Sequence, residues 1–215
     1  MKTFTKLFLP FLICSFFTTS CSENNKQPAS STSIFYLKDV TASAKNTKHS
    51  LTLNAAKLMD LVGFDSNSKA SVTYAHSIIS EVHLNQVFSA TIPTANLDNY
   101  NKFKRKNQVK KFLTKVDKGL KDLSQVQQGR TSSSIFIPVG KIINRLAKTK
   151  TNKQVLILYT DLFENTFILS KYDPSQMKKI EDFPKFLHDI LDKETPIVGK
   201  LDKMTIYIVN QPSSD

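Results

Sequence analysis

The sequence predicts an α/β domain with a doubly wound, mainly parallel sheet, one antiparallel edge strand and helices on both faces. Strand-like and helix-like segments alternate along the chain from about Ser33 to Val209, as in sheets of this kind. The run Val155 to Leu158 is apolar throughout, which is typical of a strand covered on both sides. Two extended runs, Ser71 to Ile79 and Val82 to Ile92, are so close in sequence that we expect an antiparallel hairpin.

Apolar residues at every third or fourth position predict the helices, and short apolar runs predict the strands. The strands expected besides the hairpin are Ile34 to Lys38, Gln154 to Tyr159 and Met204 to Val209. The expected helices are Thr52 to Val62, Lys102 to about Gly129, Ser133 to Ala147 and Pro174 to Leu191. Pro138 lies inside the third helix and favours a kink or a late start, because proline cannot donate a backbone hydrogen bond.

Residues 1–20 have the pattern of a secretory signal, with Lys2 and Lys6 ahead of an apolar run that is short for a membrane span. The small residues before Cys21 resemble the cleavage box of bacterial lipoproteins, in which this cysteine becomes the lipidated first residue. Cys14 would leave with the signal, so no disulfide could form within one mature chain. We expect anchoring to a membrane of the bacterial cell envelope, on the outer-membrane or periplasmic face. The alternative is an ordinary signal peptide with an incidental cysteine.

Residues 21–32 are rich in Ser, Asn, Gln and Pro and show no apolar periodicity, which predicts a flexible tether. Residues 33–215 suffice for one domain with its own core.

The net charge of +12 is concentrated in part between Lys102 and Lys121. Apolar residues are interleaved there at helical spacing, so the lysines would form the solvated face of an amphipathic helix. The alternative is a patch that binds anionic lipids or envelope polymers without a metal. No nucleic-acid partner is expected, since an exported protein rarely meets chromosomal nucleic acid.

Oxygen-bearing side chains follow the first predicted strand. Asp39, Thr41 and Ser43 offer a carboxylate and two hydroxyls, which are hard ligands for a small divalent cation. The alternative is a capped loop in which these side chains bond to nearby backbone groups. Asp161 also directly follows a predicted strand, and open α/β sheets form their functional crevice at the carboxyl ends of strands. If the two strands are neighbours, the carboxylates converge, and Thr131 can add a hydroxyl from a third loop.

Together these segments resemble the metal-ion-dependent adhesion site of von Willebrand factor A-type domains, and the resemblance covers essentially the whole predicted domain. Their order and their secondary-structure context both match. The segments are Asp39-x-Thr41-x-Ser43, Gly129-x-Thr131 and Thr160-Asp161.

The resemblance implies that Thr41 and Ser43 ligate Mg²⁺, or alternatively Ca²⁺ or Mn²⁺, through their hydroxyls. It implies that Thr131 binds the ion directly or through water, and that Asp39 and Asp161 hold coordinating waters. One coordination position would stay open for an acidic residue of a partner protein.

The resemblance also implies a further strand and helix after Val209, where six residues follow. We therefore expect a fold truncated at its C-terminus, with an apolar face or edge of the sheet uncovered. A different function is a metal-dependent phosphohydrolase with Asp39 as nucleophile, but such enzymes usually carry a second carboxylate where Thr41 stands. We expect a binding protein rather than an enzyme.

Overall fold

The computed structural model describes residues 30–40, 53–65, 67–80, 83–96, 99–126, 134–162, 164, 166, 169–170, 172–182 and 184–210. The strands are β1 (Ser31–Asp39), β2 (Ser71–Ser80), β3 (His83–Ile92), β4 (Lys153–Thr160) and β5 (Met204–Asn210). The helices are α1 (Ala55–Val62), α2 (Lys102–Gln125), α3 (Phe136–Ala147), α4 (Pro174–Asp182) and α5 (Pro184–Glu194).

The five strands form one sheet in the order β3-β2-β1-β4-β5. β1 runs parallel to β2 and β4, and β4 runs parallel to β5. β3 pairs antiparallel with β2 and forms one edge of the sheet. The predicted fold class and the predicted hairpin are confirmed. We call the end of the sheet at which the parallel strands begin the amino edge and the opposite end the carboxyl edge.

Side chains of the central strands alternate between two hydrophobic cores, one on each face of the sheet. α1 and α2 pack with Tyr36 and Ile157 on one face, and α3 packs with Leu37 and Leu156 on the other. Because both faces are covered, β1 and β4 need apolar residues at consecutive positions, which explains the apolar run of β4.

Two helices are shorter than predicted. α1 begins later, because the side chain of Asn54 accepts a hydrogen bond from the backbone nitrogen of Lys57 at 2.8 Å and caps the helix there. α2 ends earlier, where Val126 adopts an extended backbone conformation.

Prolines determine two further boundaries. Pro138 lies in the first turn of α3, where a backbone N–H has no partner within the helix, so the late start is confirmed. The single helix predicted from Pro174 to Leu191 is wrong, since α4 ends at Asp182 and α5 begins at Pro184. Inside one long helix, Pro184 would lack its hydrogen bond and its ring would clash with the preceding turn.

β5 forms the edge opposite β3 and leaves apolar side chains uncovered. Ile206 and Ile208 stand in register with Leu156 and Leu158 of β4. They are 42% and 54% exposed, whereas their β4 neighbours are buried. The expected uncovered apolar face is therefore present at the last strand.

Arg105 joins the start of α2 to the amino edge. Its buried guanidinium donates hydrogen bonds to the carbonyl oxygens of Ser68, Ala70 and Pro93. At the other end of α2, Lys38 Nζ donates to the carbonyl oxygen of Leu123 at 3.2 Å. α2 therefore runs from the amino edge to the carboxyl edge.

His76 is buried between the sheet and α2. Its ring stacks on Phe88 with centroids 5.2 Å apart, and Nδ1 lies 3.0 Å from the hydroxyl of Tyr74. Within the described part of the chain, Nε2 has no hydrogen-bond partner. Burial lowers the pKa of His76 from 6.5 to about 4, and the charge of Asp122 opposes part of that change. His76 is therefore neutral at neutral pH.

We expect His76 to make the fold sensitive to acid. Its folded-state pKa lies below its ordinary value, so the unfolded chain binds more protons and stability falls as the pH drops from 6.5 towards 4. The full contribution is about 3 kcal/mol. Urea unfolding at several pH values should show a flatter pH dependence for His76→Asn, which keeps an acceptor near Tyr74. An unchanged slope in His76→Asn would contradict the prediction.

Candidate functional site at the carboxyl edge

The connections of the sheet diverge between β1 and β4. β2 lies on one side of β1, and β4 and β5 lie on the other. Such a switch point is where open α/β sheets form a crevice at their carboxyl edge. Asp39 is the last residue of β1, and Asp161 directly follows β4. Because β1 and β4 are hydrogen-bonded neighbours, the condition for the two acidic residues to share one edge is met.

A threonine hydroxyl connects the two strand ends. Thr160 Oγ1 donates a hydrogen bond to Asp39 Oδ2 at 2.9 Å and accepts one from the backbone nitrogen of Leu162 at 3.0 Å. Asp39 and Thr160 are both buried. Sequence patterns alone could not pair these two residues, since their contact depends on the register of β1 against β4.

The chain turns sharply after Asp161. Leu162 has a φ of 62°, and no other described residue except glycine has a positive φ. This backbone conformation costs about 1 kcal/mol or more for a residue with a side chain. The hydrogen bond from Leu162 to Thr160 compensates for part of that cost and fixes the chain direction next to Asp161.

Glu164 caps the start of α3 from the segment that follows β4. Its Oε2 accepts hydrogen bonds from the backbone nitrogens of Ile135 at 2.6 Å and Phe136 at 3.0 Å. These N–H groups lack partners within the helix, and the positive end of the helix dipole favours a carboxylate there. Burial raises the pKa of Glu164, although these hydrogen bonds and the hydroxyls of Thr166 and Ser134 oppose the shift. The sequence offered no signal for this contact.

Buried acidic residues are concentrated at this edge. The protein has 30 lysines and arginines against 18 acidic residues. Even so, the buried acidic residues of the described chain are Asp39, Asp161 and Glu164, and all three belong to this region. Burying a carboxylate is costly unless hydrogen bonds or a cation compensate.

The donor chemistry fits a hard divalent cation, because the site offers carboxylate and hydroxyl oxygens. The carboxylates alone do not form a binding site. Among the described residues, no three His, Cys, Asp or Glu side chains come close enough to hold a metal ion. A cation at this edge therefore requires further oxygen ligands from the adjoining loops.

The remaining predicted ligands, Thr41, Ser43 and Thr131, lie outside the described residues, as does Cys21. The structure thus places Asp39 and Asp161 at one edge. The roles of the other three residues as metal ligands stay predictions.

A cleft lined by polar and apolar side chains opens at the same edge on the face covered by α1 and α2. Its volume is about 410 Å³, and its lining includes Lys38, Asn54, Asp117 and Tyr159. Burial lowers the pKa of Lys38. Lys38 and Asp39 are adjacent in β1 and therefore point to opposite faces of the sheet, so the lysine cleft and the Asp39–Thr160 pair are separate features of one edge.

No protein-family model matches this chain, and no curated protein matches it either. The resemblance to von Willebrand factor A-type domains therefore depends on the motifs and their context.

We expect Thr160→Val to destabilise the protein by about 2 kcal/mol, because it removes the hydrogen bond that Thr160 donates to a buried oxygen of Asp39. Valine is close to threonine in shape, so the loss reports the hydroxyl. Urea unfolding measures the effect, and Thr160→Ser, which keeps the hydroxyl, is the matched control. A valine variant as stable as the serine variant would show that the hydrogen bond contributes nothing.

We expect Glu164 to change the pH dependence of folding stability in the direction opposite to that of His76. Its folded-state pKa lies above the ordinary value of 4.5, so the folded state binds more protons and stability falls as the pH rises through that window. Glu164→Gln removes this titration. The stability of the variant relative to the parent should therefore increase from pH 4 to pH 8 in urea unfolding. A difference that stays constant with pH would exclude a raised pKa at Glu164.

Proposed function

We propose that the carboxyl edge binds a divalent cation, in the manner of von Willebrand factor A-type domains, and through it captures an acidic residue of a partner protein. The observation that carries this proposal is the hydrogen bond from Thr160 to Asp39, because it ties together the two strand ends that bear the predicted site. The predicted ligands are Asp39, Thr41, Ser43, Thr131 and Asp161, with Mg²⁺ as the expected ion and Ca²⁺ or Mn²⁺ as alternatives.

The chemistry of the edge supports a cation in this place. Carboxylates are buried there in a chain that is otherwise strongly basic. Hydroxyl ligands combined with few direct carboxylates leave a bound Mg²⁺ electrophilic, so it attracts a carboxylate from outside. A bound cation would supply that attraction, and Asp39, held by Thr160, would help to orient its coordinating waters.

The position of Asp39 favours binding over nucleophilic catalysis. A nucleophilic carboxylate oxygen must reach the substrate, whereas Asp39 is only 1% exposed and one of its oxygens already accepts a hydrogen bond. The phosphohydrolase alternative therefore receives less support than the adhesion role.

We further propose that the domain is held at the bacterial cell envelope through lipidated Cys21. Among the described helices, none has the length and apolar character needed to cross a bilayer. The described chain enters β1 at the amino edge, where the carbonyl oxygen of Ser30 accepts a hydrogen bond from Ser71. A tether before Ser30 thus joins the domain at the end opposite the proposed cation site.

Thermal unfolding of the full chain with and without Mg²⁺, Mn²⁺ or Ca²⁺ tests the cation site. An ion that binds only the folded state at 100 times its dissociation constant stabilises that state by about 2.7 kcal/mol, which raises the melting temperature by roughly 5 to 10 °C for a protein of this size. Asp39→Asn and Asp161→Asn should lose the shift, because each removes a charge at the site.

Asp202→Asn is the matched control, since Asp202 is exposed just before β5 at the amino edge and should keep the full shift. A melting temperature that responds to none of the three ions would refute the cation site. A partner whose capture persists in excess chelator would refute the adhesion role even where the ion binds.

A further inference from the structure

α2 carries most of the net charge of the protein. Its 24 residues contain eight lysines, Arg105 and two aspartates, a net charge of +7 against +12 for the whole chain. Arg105 is buried at the amino edge, whereas all eight lysines are exposed. They are Lys102, Lys104, Lys106, Lys110, Lys111, Lys115, Lys118 and Lys121.

Two other described helices, α4 and α5, have a different charge pattern. α4 and α5 together carry four lysines and five acidic residues, and Lys185 pairs with Asp189 at 3.9 Å. Within the part of the chain that is described, no lysine of α2 forms an ion pair. A face that only needs solubility is served by mixed charges, so the large excess of positive charge on α2 requires another explanation.

The positive charges of α2 destabilise this helix. Lys102 and Lys106, Lys106 and Lys110, and Lys111 and Lys115 are like charges four residues apart, and each such pair costs about 0.2 to 0.5 kcal/mol. The first turn has no acidic residue and several positive charges at the positive end of the helix dipole. A bound anionic surface would relieve both costs.

The outward face of α2 is basic and partly apolar. Opposite the buried row of Val109, Phe112 and Val116, helical spacing aligns the residues that we call the lysine strip. The strip consists of Phe103, Asn107, Lys110, Lys111, Thr114, Lys118 and Lys121. It contains no acidic residue and extends over about 27 Å. Phe103 is 75% exposed at its amino end.

From this arrangement we infer that the lysine strip is a docking surface for an anionic lipid bilayer. The helix would lie along the membrane surface, with its lysines at the lipid phosphates and Phe103 at the boundary with the acyl chains. The inference is independent of the proposed cation site. The lysine strip lies along the outer face of α2, whereas the cation site is proposed at the carboxyl edge of the sheet.

Two observations favour a bilayer over a soluble anionic polymer. The exposed aromatic ring of Phe103 gains from an apolar layer, which a polyanion does not offer. The exposed cations of the strip are lysines, which respond to the diffuse potential of an anionic surface, whereas arginine would suit bidentate recognition of individual groups.

Vesicle binding tests the inference. The full chain with Cys21→Ser, which cannot be acylated, is mixed with phosphatidylcholine vesicles with or without phosphatidylglycerol, and the bound fraction is measured by sedimentation. The combined change Lys110→Gln, Lys111→Gln and Lys118→Gln should weaken binding to the anionic vesicles about 100-fold. Phe103→Ser should weaken it about tenfold. Raising the salt concentration should release the protein, and adding chelator should not.

The matched control removes the same charge from exposed lysines elsewhere, through Lys178→Gln, Lys193→Gln and Lys200→Gln, and should bind almost as well as the parent. All variants share the same amino-terminal segment, so its contribution cancels. Equal weakening by the two triple changes would overturn the inference, because net charge alone would then explain binding. Equal binding to neutral vesicles, or binding to soluble polyglutamate but not to vesicles, would also overturn it.

Discussion

The parallel pairing of β1 with β2 on one side and β4 on the other is the constraint on which the rest of the structure depends. It places two apolar strands at the middle of the sheet and requires a helical layer on each face. It also makes the connections diverge at the carboxyl edge, and it sets Asp39 opposite Thr160. A shift of β4 by one residue would turn its side chains to the wrong faces and remove that contact.

The protein separates its charges in space. Three acidic side chains are buried at the carboxyl edge, where hydroxyl and backbone groups donate hydrogen bonds to them, whereas eight exposed lysines project into solvent along α2. The buried cation Arg105 and the buried carboxylate Glu164 are stabilised in the same way. Each makes hydrogen bonds with backbone groups that lack partners in regular secondary structure. Glu164 therefore helps to determine where α3 begins, whereas Arg105 holds the first turn of α2 at the amino edge.

Periodicity was enough to predict the fold class, the hairpin and the order of elements, because each depends on which residues must be buried. The missed boundaries depend on single local contacts, such as the cap at Asn54 and the break at Pro184. Of the site, sequence predicted that Asp39 and Asp161 would reach one edge, since both follow apolar strands. It could not predict the roles of Thr160 and Glu164, because one depends on strand register and the other on a contact between distant segments.

The opposite positions of the chain entry and the acidic edge have a mechanical consequence. From Ser31 to Asp39, β1 covers about 26 Å along the sheet. A force applied between a tether at its first residue and a ligand at its last would pull along the strand axis. The hydrogen bonds on both sides of β1 would then be loaded in shear and share the force together, whereas a pull across the sheet would open them one after another. The strand that forms the centre of the core is thus also the element best placed to resist such a load.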